Sequence, residues 1–140
     1  MIGVVVVTHG QLAAELLNAA ETIVGDLPQF TAVSIGWHDD VDDAREELKQ
    51  SIARVQGAEG VLILTDMFGG TPANLALTFL EADRVEVITG VNLPMLIKLA
   101  GALKASNLLA VAREMREHGR NAIWVASDLL RSETKGEGQG

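Results

Sequence analysis

The chain opens with an unbroken apolar run, Ile2-Gly3-Val4-Val5-Val6-Val7, closed by Thr8. A valine-rich run without polar alternation predicts a strand, Ile2 to Thr8, buried on both faces of a parallel sheet. Four more segments have strand character: Thr31 to Trp37, Gly60 to Asp66 through Val61-Leu62-Ile63-Leu64, Val85 to Gly90, and Ala122 to Ala126. Between them the apolar spacing becomes helical. Gln11 to Val24 sets Leu12, Leu16, Ala20 and Ile23 on one face. Val41 to Val55 interleaves charge with Val41, Leu48, Ile52 and Val55, and Pro72 to Leu80 is short and apolar. Leu93 to Leu103 follows the fourth strand, and Asn107 to Glu117 precedes the fifth, with Gly119 placed as its C-cap.

Strands alternating with helices predict an α/β fold, with right-handed crossovers, a mostly parallel sheet and helices on both faces. A length of 140 residues suits one domain. The fifth strand is expected either to join the sheet edge antiparallel or to pair with another subunit. From Arg131 onward no apolar side chain remains, so residues 131–140 are expected to be a disordered polar tail behind a domain spanning 1–130.

Composition narrows the chemistry. The net charge is -8, and the 11 basic residues are scattered, which excludes phosphate-led binding of nucleic acid. With no cysteine there is no disulfide, thiolate metal site or thiol nucleophile. No apolar run approaches the ~20 residues that span a bilayer, and no basic segment precedes the first strand, so a cytoplasmic location is expected.

In open α/β sheets, sites form beyond the carboxyl ends of the strands. Strand one ends in Thr8-His9-Gly10. His9 would leave the sheet just before a helix, whose dipole disfavours an imidazolium; an uncharged ring nitrogen is a nucleophile. The alternative is a loop histidine with no chemistry. Strand three ends in Asp66-Met67-Phe68-Gly69-Gly70-Thr71-Pro72-Ala73-Asn74. Thr71 suits an N-cap and Pro72 the first helical position. Gly69 and Gly70 permit a tight loop whose N–H groups turn outward, and such a loop before a helix is an anion site; a tight turn that binds nothing is the alternative. The Gly-Lys-Ser/Thr ending of a phosphate-binding P-loop and a G-x-G-x-x-G element are both missing. If strands one and three are neighbours, Asp66 meets His9, fixes its tautomer and frees the other nitrogen to attack. Otherwise Asp66 only caps the glycine turn. Asn92 suits the cap of the helix after strand four, and Met67 and Phe68 stand where a protein partner would dock. The acidic cluster Asp39-Asp40-Val41-Asp42-Asp43 lacks calcium-loop spacing, and its carboxylates suit a helix start. His118 suits a helix's last turn. One histidine, one aspartate and one anion cradle describe phosphoryl transfer through a phosphohistidine.

The three motifs Thr8-His9-Gly10, Asp66 to Asn74, and Gly90-Val91-Asn92-Leu93-Pro94-Met95-Leu96 resemble, in order, the enzyme IIA component of mannose-family sugar phosphotransferase systems, over about residues 1 to 126. The resemblance implies sheet order 2-1-3-4, so that strands one and three are neighbours. It implies that His9 takes a phosphoryl group from phosphorylated HPr, through the nitrogen farther from the backbone, and passes it to a histidine of a IIB component. Asp66 would orient His9, and Gly69, Gly70 and Thr71 would hold the phosphoryl oxygens. No cofactor or metal is implied. A homodimer is implied, with Ala122 to Ala126 as a strand exchanged between subunits, and so is peripheral association with IIC and IID membrane partners. Because no IIB sequence follows, the IIB partner is expected to be a separate protein. Two related roles share these residues: a regulatory IIA module in an incomplete system, and the phosphoryl-donating subunit of a dihydroxyacetone kinase.

Overall fold

In the computed structural model, which describes residues 1–131, four parallel strands stand in the order β2-β1-β3-β4. The elements follow the chain as β1 (Gly3–His9), α1 (Leu12–Val24), β2 (Phe30–Ile35), α2 (Val41–Val55), β3 (Val61–Thr65), α3 (Gly70–Leu77), β4 (Val85–Thr89), α4 (Leu93–Ala100) and α5 (Leu108–Asn121). The alternation of side chains along each strand sorts the core into two layers. Val4, Val6, Leu62 and Leu64 pack beneath α1, α4 and α5, against Ala13, Leu96, Leu99 and Met115. Val5, Val7, Val61 and Ile63 pack beneath α2 and α3, against Leu48, Ile52, Leu75 and Ala76. Val4 to Val7 are fully buried, each contributing roughly 1.5–3 kcal/mol. β1, like β3, is therefore held firmly, with paired neighbours on both sides.

Register carries this rigidity to the sheet edge. Val7 pairs with Thr65, the last residue of β3, so β1 runs two residues farther and His9 overhangs level with the turn that follows β3. The chain leaves β1 toward β2 on one side while β3 lies on the other; this is the reversal of strand order where such sheets bind ligands.

Several expectations are corrected. α1 turns Ala13 and Ala20 into the core and leaves Leu12 and Ile23 exposed, because alanines let the helix sit close to the sheet. Gly119 lies inside α5 rather than after it, facing α4, where an added Cβ would come 2.7 Å from Met95 Cε. Ala122 to Ala126 forms no strand within this chain: residues 123–125 belong to neither helix nor strand, and a helical turn occupies residues 126–131. The expected tail lies outside the described residues apart from Arg131.

Where α2 ends, its backbone crosses the start of β1. A Cβ on Gly3 would lie 2.0 Å from the Val55 carbonyl oxygen. Gly3→Ala is therefore expected to lower the stability of the fold by about 1–3 kcal/mol in urea unfolding. An unchanged midpoint would contradict this close approach of helix and strand.

Candidate active site

At the overhang, one carboxylate oxygen holds His9 twice. Asp66 is the first residue past β3, and its Oδ2 accepts the backbone N–H of His9 at 3.1 Å and lies 2.8 Å from ring Nδ1. Asp66 is mostly buried, its side chain 14% exposed, whereas the His9 ring is half exposed at 51%. The other Asp66 oxygen, Oδ1, is buried and takes no hydrogen bond from the described residues. A carboxylate against Nδ1 assigns the proton of the uncharged ring to that nitrogen. The lone pair is then on Nε2, the outward nitrogen.

Nε2 faces the start of α3. An ideal Cβ on Gly70 would stand 3.0 Å from Nε2 and 3.1 Å from Cε1, so the ring rests against the space that glycine leaves empty. Gly69 and Gly70 have φ of +90° and +82°, a backbone region that suits glycine alone among common residues. The helix begins at Gly70 with Gly69 as its N-cap, and no side chain caps it. Thr71 and Pro72 are thus its second and third residues, two positions later than the Thr-Pro pair predicts, because the glycines make the turn themselves. The N–H groups of Gly70 and Thr71 have no intrahelical partner, and the helix dipole adds positive potential there. Uncapped amides at a glycine turn form an anion site.

The structure therefore gathers His9, Asp66, Gly70 and Thr71 at one edge, with Gly69 one residue behind. An open depression of about 500 Å³ runs between His9, Gly70, Thr71 and the loop after β2. Trp37 borders it and is 94% exposed, outside the strand to which its sequence position assigns it. An aromatic in a Gly-Trp-His-Asp turn was the signal for this residue. Met67 and Phe68 are also exposed, in the turn beside Asp66.

The other candidates have structural positions. Asp40 Oδ1 caps α2, accepting N–H from Asp42 at 2.8 Å and Asp43 at 3.2 Å. Asn92 caps α4 through Met95 N–H and donates to the Gly119 carbonyl. Gly90 and Val91 both donate to the Thr65 carbonyl at 2.9 Å, which steadies the residue before Asp66. His118 lies in the last turn of α5. Among the described residues no cluster of three or more His, Asp or Glu side chains is arranged to hold a metal, and no helix is long and apolar enough to cross a membrane.

The sequence model of the family described as the PTS system fructose IIA component matches residues 3–115. The PTS system mannose-specific EIIAB component of Escherichia coli (strain K12) is 33% identical over 132 residues, covering 87% of this chain. The chain spans only 39% of that relative's length. The PTS system fructose-specific EIIA component of Bacillus subtilis (strain 168) is 28% identical, covering 93% of this chain and 90% of the relative. The crystal structure of the PTS IIA protein associated with the fucose utilization operon of Streptococcus pneumoniae superposes with a TM-score of 0.82 at 26% identity, covering 92% of this chain and 96% of that one.

Long-range proton–nitrogen spectra of the uncharged His9 ring are expected to show the proton on Nδ1. Asp66→Ala is expected to shift it mainly to Nε2, the tautomer free histidine prefers. A proton resident on Nε2 of the unaltered protein would contradict the geometry.

Proposed function

The chain belongs to the family described as the PTS system fructose IIA component, and from that membership we propose that it carries phosphoryl groups in a sugar phosphotransferase system, taking them on His9 from phosphorylated HPr and passing them to a histidine of a IIB component. The observation that supports this most is the placing of Nε2 against Gly70, with Nδ1 already engaged by Asp66.

In the proposed step the Nε2 lone pair attacks phosphorus. A nitrogen–phosphorus bond forms on His9 as the donor's breaks, and the donor ring nitrogen keeps that electron pair. The phosphoryl oxygens lie over the N–H groups of Gly70 and Thr71, with the Thr71 hydroxyl as an added donor. The Nδ1 proton stays in place, and the carboxylate of Asp66 offsets the positive charge that the ring acquires. The same carboxylate lies near the dianionic group and repels it, so the adduct keeps a high transfer potential. One nitrogen–phosphorus bond replaces another, so the site needs to stabilise moving charge rather than drive the reaction. Onward transfer to the IIB histidine repeats the step with that histidine as the attacker: its nitrogen–phosphorus bond forms as the His9 bond breaks, and Nε2 of His9 keeps the electron pair. No metal or cofactor takes part in it, and the action is in the cytoplasm.

Both partners are proteins, and the surface around His9 suits them. Trp37, Met67 and Phe68 leave apolar side chains in water on either side of the ring. Such exposed groups mark interaction sites.

We also place a second copy of the chain along β4. Among the described residues no strand pairs with β4 on the side away from β3, where Val85 alone bridges to Glu81, and a groove of about 270 Å³ lies between β4 and α5, beside Val87 and Leu109. Ile123, Trp124 and Val125 are all exposed, with β-branched and aromatic character, and fit the missing neighbour in an exchanged strand.

Three outcomes are expected. With phosphoenolpyruvate, enzyme I and HPr, the protein takes up acid-labile phosphate and His9→Ala takes up none; equal labelling of both ends the proposal. Gly70→Ala, which places a methyl group 3.0 Å from Nε2, slows labelling by roughly 10²-fold or more. Light scattering gives twice the 14.9 kDa chain mass, and Trp124→Glu returns the monomer; a monomer at high concentration in the unaltered protein removes the exchanged strand.

A further inference from the structure

We propose that Thr8 is a positioning residue for transfer at His9, its buried hydroxyl locking the His9 carbonyl to the first turn of α1. The inference rests on the carrier reading above. Strand alternation points Thr8 to the same side as Val4 and Val6, under α1, where an apolar residue of the same shape would pack equally well. Thr8 is fully buried, so its hydroxyl needs partners. It has two. Oγ1 accepts the Ala13 N–H at 2.7 Å and donates to the His9 carbonyl oxygen at 3.1 Å.

Both partners matter to the site. The Ala13 N–H is one of the donors that a helix's first turn leaves unpaired, and α1 has no cap of its own, since Gln11 makes no side-chain bond there. The His9 carbonyl begins the peptide unit that leads into Gly10, which sits at φ +55° and has no Cβ to hold it there. The His9 N–H is already held by Asp66, and the Gly10 N–H by the Ile35 carbonyl at 2.9 Å. With Thr8 on the carbonyl, the backbone of His9 is fixed on both sides, and its ring has one position relative to Gly70. Without the hydroxyl, the peptide after His9 is held only through the Gly10 N–H, its carbonyl end loosens, and the ring shifts against the amides of α3. A displacement near 1 Å is enough to cost about 10²-fold in a positioned reaction.

The test compares Thr8→Val, which keeps shape and removes the hydroxyl, with Thr8→Ser, which keeps the hydroxyl and removes the methyl. Thr8→Ala takes the place of valine if valine does not fold, as judged by circular dichroism. His9 phosphorylation is followed at increasing phospho-HPr, with rates taken per folded molecule. The expected result is a fall of ten- to a hundredfold in the saturated rate of the valine form, an unchanged half-saturating donor concentration, and a serine form within threefold of the unaltered protein. The Nδ1 proton of His9 is also expected to broaden in the valine form and stay sharp in the serine form. Valine at the unaltered rate, or serine as slow as valine, would overturn the role of Thr8 while leaving the carrier reading in place. An unaltered protein that takes no label would overturn both.

Discussion

A single carboxylate oxygen organises this sheet edge. Asp66 Oδ2 takes both the backbone and ring N–H groups of His9, and the register of β1 against β3 brings them into reach. Hydrogen bonds to a charged acceptor contribute about 1.5–3 kcal/mol each, against at most about 2 kcal/mol for freezing a side chain. The bonds win, so the ring is ordered before any partner arrives. The strands beneath it are held by fully buried valines, leucines and isoleucine, which makes the pairing of β1 with β3 the rigid foundation for the contact.

Across from the carboxylate, the edge is left incomplete. α3 begins on two glycines with its first amides uncapped, an arrangement that costs helix stability. Burial of Pro72, Ala73, Leu75 and Ala76 offsets that cost. A side-chain cap would stabilise the helix and occupy the space an anion needs. One face of the imidazole edge is thus satisfied by a fixed negative group while the other meets unsatisfied donors, and this asymmetry distinguishes the two ring nitrogens.

Much of this was legible from residue patterns. The apolar runs located all four strands to within about two residues, since a strand buried on both faces has few polar interruptions. The glycine pair marked the loop, and the His9–Asp66 contact followed only once strand order was supplied by resemblance; local patterns do not say which strands are neighbours. Helix phase was less legible. Of the stripe Leu12, Leu16, Ala20 and Ile23, Ala20 is buried and Leu16 packs against the core, yet Leu12 and Ile23 stay exposed and Ala13 is buried instead, because periodicity does not weigh close approach against side-chain size. The start of α3 misled in the same way: Thr71-Pro72 has the form of a cap and first turn, and the positive-φ glycines ahead of it override that preference. Gly119 belongs to packing against α4, a tertiary fact that its position near a helix end conceals. Ala122 to Ala126 has strand composition but pairs with no strand among the described residues, and composition alone does not show where a partner strand lies.

On the proposed reading, the outward ring nitrogen reacts because the inward one is held by Asp66. Nitrogen-15 and phosphorus-31 spectra of the phosphorylated protein, labelled in its histidine ring, test this directly. The expected spectrum has phosphorus coupled to Nε2 of His9 while Nδ1 keeps its proton. Phosphorus coupled to Nδ1, or to a ring nitrogen of His38 or His118, would contradict it.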